Sequence, residues 1–285
     1  MPHSFTPKII FFDIDDTLSR GGIIAPHNQA TLQGLAHTEI KLVIATGRAK
    51  PMLPKDILDL HDKGIIDAVI CMNGQYSFYK DGSNSDKVSR SSSGDKSKIV
   101  GNEALIKHYP LTLPQVEQIV QICQQEQVVY KLDSTHYIAW SAMHEHIKEL
   151  MVKNSYFIVD PDFHKCNDVY QCSVIFNNEK DKMQHIDFAK FGLKLVHWHN
   201  TGADIIPIDA SKARAVLDVC RHYDIDVKDA MAFGDGLNDL EMFDLVGCSV
   251  AMGDGQPALI ERADLVTGSI EERGIQAVLD KFYVV

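Results

Sequence analysis

The stretch Phe11-Phe12-Asp13-Ile14-Asp15-Asp16-Thr17-Leu18 closes the apolar run Ile9–Phe12 and decides how the rest of the chain is read. Four apolar residues in succession fit a strand buried on both faces. Side chains two apart on an extended strand point the same way, so Asp13 and Asp15 can both face one metal ion or one phosphate. Ligands of open α/β sheets collect beyond the carboxyl ends of strands, where this pair lies. Asp-rich turns after strands are also common as plain structure, so the pair gains meaning from the residues at the ends of the other strands.

Working outward, short apolar runs alternate with helix-like stretches. Ile9–Phe12, Leu42–Ala45 and Ala68–Met72 read as strands, with helices over Asn28–Ala36 and Pro51–Lys63. The rhythm returns near the C-terminus. Helix Lys212–Tyr223, strand Ala230–Phe233 and helix Asp239–Leu245 precede short strands at Ser249–Ala251 and Leu265–Val266, then helix Gly274–Lys281. Strands joined by helical crossovers form a parallel sheet, which makes the fold class α/β.

Between these halves the character changes. Residues 81–97, DGSNSDKVSRSSSGDKS, contain Val88 as their sole apolar side chain and read as a polar loop at a hairpin tip. Beyond it, strands at Val128–Leu132, His136–Trp140, Val169–Phe176 and Lys194–Trp198 mix with helices at Pro114–Gln125, Ala142–Met151 and Lys180–Phe191. Residues 83–200 therefore read as an α+β domain inserted into a core made of residues 1–82 and 201–285.

Composition narrows the function. A net charge of −11 argues against nucleic acid, because phosphate backbones select basic surfaces. No apolar run approaches the ~18 residues of a membrane span, and residues 1–7 lack the form of a secretion signal. The six cysteines are scattered without a CxxC pair and read as reduced thiols of a cytoplasmic protein.

Three further segments sit just past predicted strands. Thr46-Gly47-Arg48 offers a hydroxyl and backbone N–H groups at a strand-to-helix turn, an arrangement suited to phosphate. Lys212 opens a helix after Ile205-Ile206-Pro207-Ile208-Asp209-Ala210-Ser211; alone it would read as a solvated lysine. Gly234-Asp235-Gly236-Leu237-Asn238-Asp239 combines glycines, carboxylates and an amide directly after Ala230–Phe233. Glycine frees the backbone to approach a ligand, and oxygen donors suit a hard cation such as Mg²⁺.

These four segments, in this order, resemble the haloacid dehalogenase superfamily of phosphatases. The spacing, the large insert and Cys71-Met72-Asn73-Gly74 are similar to its Cof-type sugar-phosphatase branch, and the run Met231–Asp239 with Val250-Ala251-Met252-Gly253 carries the likeness most specifically. The resemblance implies a Rossmann-like core with an inserted α+β cap that selects the substrate. It implies an Mg²⁺-dependent phosphomonoesterase acting on small phosphate esters, sugar phosphates or similar. Asp13 would be the nucleophile that becomes an aspartyl-phosphate, and Asp15 the general acid/base. The Asp13 carboxylate, the Asp15 carbonyl and Asp235 would hold Mg²⁺. Thr46, Gly47, Lys212 and Asn238 would bind phosphate, and Asp239 would orient Lys212 or a metal-bound water.

Departures from the family pattern include Asp16, where glycine is common, Ala213 after the lysine, and Asp254-Gly255 in place of Asn-Ala. Zinc at His144-Glu145-His146 is disfavoured, because helical residues two apart lie on different faces. His197-Trp198-His199 reads as packing or as a substrate contact, Trp140 and Tyr137 as core of the insert, and Cys71 as packing. The rival readings are a phosphomutase-type phosphotransferase and a non-catalytic Mg²⁺/phosphate-binding regulator. The partners expected are a small-molecule phosphate ester, neither nucleic acid nor membrane, and at most a weak homodimer.

Overall fold

The computed structural model describes residues 5–81, 103–143, 145–176, 183–199 and 202–282. The serine-rich segment and His144 lie outside these residues, as do the side chains of His146, Trp198 and His199. No helix among the described residues is long and apolar enough to cross a membrane. The chain divides into two compact units: Met1–Gly47, Pro54–His108 and Ser211–Val285 form one, and Arg48–Leu53 with Tyr109–Ala210 form the other.

The first unit is an eight-stranded sheet, in the order Leu265–Val266, Cys248–Ala251, Ala230–Gly234, Ile9–Phe12, Lys41–Ala45, Ala68–Cys71, Tyr76–Lys80, Glu103–His108. The strands from Leu265–Val266 to Ala68–Cys71 are parallel, and Tyr76–Lys80 runs antiparallel to both of its neighbours. Ile9–Phe12 is central and all four of its residues are buried, each side chain contributing about 1.5–3 kcal/mol by leaving water. Phe12 pairs with Phe233 on one side and Ile44 on the other. The loops beyond these three strands therefore leave one edge of the sheet at the same level.

Two helices differ from expectation in ways proline explains. Pro26 occupies the first turn of helix Pro26–Leu35, where its missing N–H costs nothing, so the helix starts two residues before the predicted Asn28. The predicted helix Pro51–Lys63 is broken into a 3₁₀ turn at Lys50–Met52 and an α-helix at Lys55–Asp62. Leu53, held extended at φ −62° and ψ 136° by the adjoining Pro54, separates them. Ser19–Arg20 and Ile23–Ile24 form a small hairpin across Gly21-Gly22, whose φ values of 62° and 81° require glycine-like freedom.

The second unit has a six-stranded sheet, ordered Phe157–Val159, Ile138–Trp140, Val129–Asp133, Gln171–Ile175, Gly202–Pro207, Leu193–His199. Helix Leu113–Gln125 buries Val116, Ile119 and Cys123 against Leu132, Cys172, Val174 and Ile205. Its start is capped by the Gln115 side chain, which accepts from the Thr112 N–H at 3.0 Å. Where a helix is predicted over Lys180–Phe191, the described part holds a 3₁₀ turn at Phe188–Phe191, ended by Gly192 at φ 67°. Tyr137 is 45% exposed and so is not part of the core, whereas Trp140 is buried.

His61 carries a pH dependence. It is buried in helix Lys55–Asp62, its Nδ1 bonds the Ile66 carbonyl at 3.0 Å, and its ring meets Phe78 edge-on. Burial lowers its pKa below 6.5, against the opposing pull of the Ile66 carbonyl, Glu103 and Asp62; Lys80 lowers it further. The unfolded chain then binds the proton more readily, so the stability His61 supplies is complete above pH ~6.5 and is lost as pH falls through its folded value. Thermal unfolding between pH 7.5 and 5 should show a steeper fall in Tm for the native chain than for His61→Gln.

Candidate active site

The ladder hydrogen bonds run into the loops at the carboxyl edge. The Asp13 N–H donates to the Phe233 carbonyl at 3.0 Å, and the Thr46 N–H donates to the Ile70 carbonyl at 2.9 Å. Asp13 and Thr46 are buried there as extensions of the sheet rather than as free loop residues. The strand proper ends at Phe12, and the chain then turns, with the Asp16 N–H donating to the Ser19 carbonyl at 2.8 Å. Asp13 is buried, whereas Asp15, two residues further on, is exposed. Asp16 adopts φ 53°, the left-handed conformation that glycine takes freely and that Asp tolerates better than most residues.

Lys212 is the centre of the site. It opens helix Lys212–His222 behind Ser211, whose hydroxyl accepts from the Arg214 N–H at 3.2 Å. Its ammonium is fully buried and donates to Asp13 Oδ1 at 2.6 Å and Asp239 Oδ1 at 2.7 Å. The other Asp239 oxygen accepts from the N–H groups of Asp235 and Gly236, at 3.2 and 3.1 Å. Both oxygens of Asp239 are thus engaged by protein donors. Thr17 Oγ1 donates to Asp235 Oδ1 at 3.0 Å, linking the first loop to the Gly234–Asp239 loop.

Carboxylate oxygens of Asp13, Asp235 and Asp239 lie within 4.8 Å of one another. Burial, reinforced by Asp239 and Asp235, pushes Asp13 up to about 8 in spite of Lys212. Burial and Asp239 push Asp235 up to about 7 against the Thr17 bond and Lys212. Burial alone would lower the Lys212 pKa, but Asp13 and Asp239 outweigh it and raise it. Three acids thus face one ammonium among these residues, and their clustered oxygens form a donor set that fits a hard divalent cation. With Asp239 occupied by its donors, Asp13 and Asp235 are the side chains suited to hold one.

The phosphate-side candidates also converge. The Asn73 N–H donates to the Thr46 carbonyl at 3.2 Å, and the Asn238 amide donates to Asn73 Oδ1 at 3.2 Å. Gly47 passes so close to Asn73 that a Cβ there would lie 3.0 Å from Asn73 Oδ1. Arg48 falls in the other unit, where its guanidinium donates to the Met52 carbonyl at 3.1 Å. Sequence reasoning left Thr17 and Asn73 without roles. Thr17 stands inside the motif that opens with Asp13, and Asn73-Gly74 is a turn signal whose significance depends on distant residues.

Breaking a buried ion cluster by removing one member strands the remaining charges. Lys212→Met should lower the unfolding free energy by about 3–5 kcal/mol, read by urea denaturation of the full chain.

The family described as haloacid dehalogenase-like hydrolase matches residues 10–279. A Streptococcus pyogenes protein provisionally named a bifunctional phosphatase/peptidyl-prolyl cis-trans isomerase is 31% identical over 278 residues, 96% of this chain. The chain spans 53% of that relative's length. The Bacillus subtilis protein YkrA, provisionally named a phosphatase, is 31% identical over 273 residues, covering 94% of this chain and 95% of its own. The structure of a subclass IIB sugar phosphatase of the haloacid dehalogenase superfamily shares the fold with a TM-score of 0.77, over 98% of this chain and 100% of its own, at 24% identity. With the family matched from the strand Ile9–Phe12 to the C-terminal helix, this chain belongs to the haloacid dehalogenase-like hydrolases.

Proposed function

We propose that this protein hydrolyses small phosphate monoesters, sugar phosphates or similar, by way of an aspartyl-phosphate on Asp13. The observation that carries the reading is the fully buried Lys212 ammonium, clamped between Asp13 and Asp239 at the carboxyl edge of a parallel sheet. A lysine placed there serves no solvated surface. It holds the Asp13 carboxylate in one orientation and can neutralise charge as a phosphate dianion arrives. Phosphatase names among relatives that match nearly the whole chain point the same way.

In this mechanism an Asp13 oxygen attacks phosphorus, forming the O–P bond as the ester P–O bond breaks. Asp15, exposed at the start of the turn, gives its proton to the departing alkoxide. The resulting carboxylate then takes a proton from a water molecule, whose oxygen attacks the phosphorus and releases phosphate from Asp13. Thr46, the Gly47 N–H and Asn238 donate to phosphoryl oxygens, and Asp239 keeps Lys212 in place. The Asp13 and Asp235 carboxylates and the Asp15 carbonyl would hold Mg²⁺, which would supply the positive charge that lets an anionic nucleophile approach an anionic ester. The inserted unit, absent from all of these steps, is assigned the selection of the leaving group.

The reading is tested with the purified full chain on p-nitrophenyl phosphate and a panel of phosphorylated sugars, measuring orthophosphate release. Release should require added MgCl2 and stop on chelation; no release from any ester would overturn the proposal. Asp13→Asn should abolish turnover while leaving the circular dichroism spectrum unchanged, because an amide is no anionic nucleophile. Asp15→Asn should lower kcat by roughly 10²–10⁴-fold, the usual worth of a positioned acid–base group, with the smallest loss on esters having good leaving groups.

A further inference from the structure

We propose that Asn73 is a positioning residue that sets the spacing of the two phosphate-binding loops; this rests on the proposed phosphatase activity. Met72, Asn73 and Gly74 take three successive positive φ values, of 52°, 52° and 91°. A left-handed conformation is costly for residues other than glycine, and a run of them persists only where the surroundings over-determine it. The surroundings here are three separate parts of the site. The Asn73 N–H bonds the Thr46 carbonyl and its Oδ1 accepts from Asn238, 165 residues away. A Cβ on Gly74 would lie 2.1 Å from the Ser211 carbonyl, so this turn is pressed against the residue that precedes Lys212. Gln75, next in line and buried, accepts from the Arg214 guanidinium of the same helix.

One buried side chain therefore joins the Thr46–Gly47 loop to the Asn238 loop, and its own turn is braced on the lysine helix. The bond to Asn73 consumes one N–H of the Asn238 amide and fixes its rotation, leaving the second N–H in a set direction. The Asn73 amide also lies against Gly47, where a Cβ would come within 3.0 Å of its Oδ1. Asn73 acts on phosphate through these two neighbours. Asn suits the position because it tolerates the left-handed backbone and supplies the acceptor.

The test is a double-mutant cycle between Asn73→Gly, which keeps the backbone at ease while removing the amide, and Asn238→Ala. Calorimetry of inorganic phosphate binding in MgCl2 and kcat/KM for p-nitrophenyl phosphate are both measured. Asn73→Gly should weaken phosphate binding and lower kcat/KM by about tenfold, the worth of one well-placed hydrogen bond, and by clearly less in the Asn238→Ala background, where only the Gly47 contact remains to be lost. The MgCl2 concentration for half-maximal activity should not move, since Asn73 touches none of the carboxylates; a general collapse of the site would shift it. Gly47→Ala, which drives a Cβ against Asn73 Oδ1, should reproduce the loss and serves as a second route should Asn73→Gly not fold. Losses that multiply in the double variant, or native phosphate affinity in folded Asn73→Gly or Gly47→Ala protein, would overturn the assignment. A native chain that binds inorganic phosphate but hydrolyses no ester would overturn the phosphatase reading instead, and calorimetry alone would then decide the role of Asn73.

Discussion

The fully buried ammonium of Lys212 is the constraint around which the catalytic edge is arranged. Desolvating a lysine costs several kcal/mol unless good partners surround it, and here two carboxylates take hydrogen bonds from it at 2.6 and 2.7 Å. Those partners come from opposite ends of the chain, so the lysine ties the first loop, its own helix and the Gly234–Asp239 loop into one cluster. Asp239 extends the tie, because its second oxygen holds the backbone N–H groups that shape the turn at Asp235. A Cβ on Gly234 would meet Asp239 at 2.5 Å, so glycine there is a condition of that turn closing.

The sheet supplies the precision that the cluster needs. Parallel pairing of Phe12 with both Phe233 and Ile44 delivers three loops to the same level, and strands cannot slip without turning every buried side chain to the other face. The apolar residues that make Ile9–Phe12 central are thus also what aims Asp13. Burial raises the cost of each unpaired charge and gives each hydrogen bond more weight, so fold stability and site geometry draw on the same contacts.

Much of this was legible in the chain because each chemical residue sits just past an apolar run. The Asp13 segment, Thr46-Gly47, Lys212 and Gly234–Asp239 are local signals, readable without knowing what they face. The pairings were not legible: Thr17 reaches Asp235 across 218 residues and Asn73 reaches Asn238 across 165, and no local pattern encodes such partners. The turn after Phe12 was not legible either: the strand ends one residue before Asp13, and Asp15 lies exposed beyond it. Proline broke the helix expected at Pro51–Lys63 through its effect on Leu53, a constraint visible in the sequence but overridden by the apolar periodicity around it. Glycine's usual place at Asp16 became intelligible only once its φ of 53° was known.

The charge balance separates the work of the two sides of the site. Burial, with the neighbouring carboxylates adding to it, pushes Asp13 to about 8 and Asp235 to about 7, although Lys212 opposes both shifts. A phosphate dianion entering that field alone would be repelled, whereas a divalent cation between Asp13 and Asp235 would bring the cluster close to neutrality first. Of the groups assigned to phosphate, Lys212 alone is charged, and Thr46, the Gly47 N–H and Asn238 are neutral donors. They contribute direction rather than charge, and directional bonds discriminate only when their bearings are fixed. In the proposed mechanism attraction therefore falls to the cation and Lys212. In that mechanism the loops set the bearings of the neutral donors, and Asn73, at φ 52° and ψ 39°, holds its part of them in a left-handed conformation.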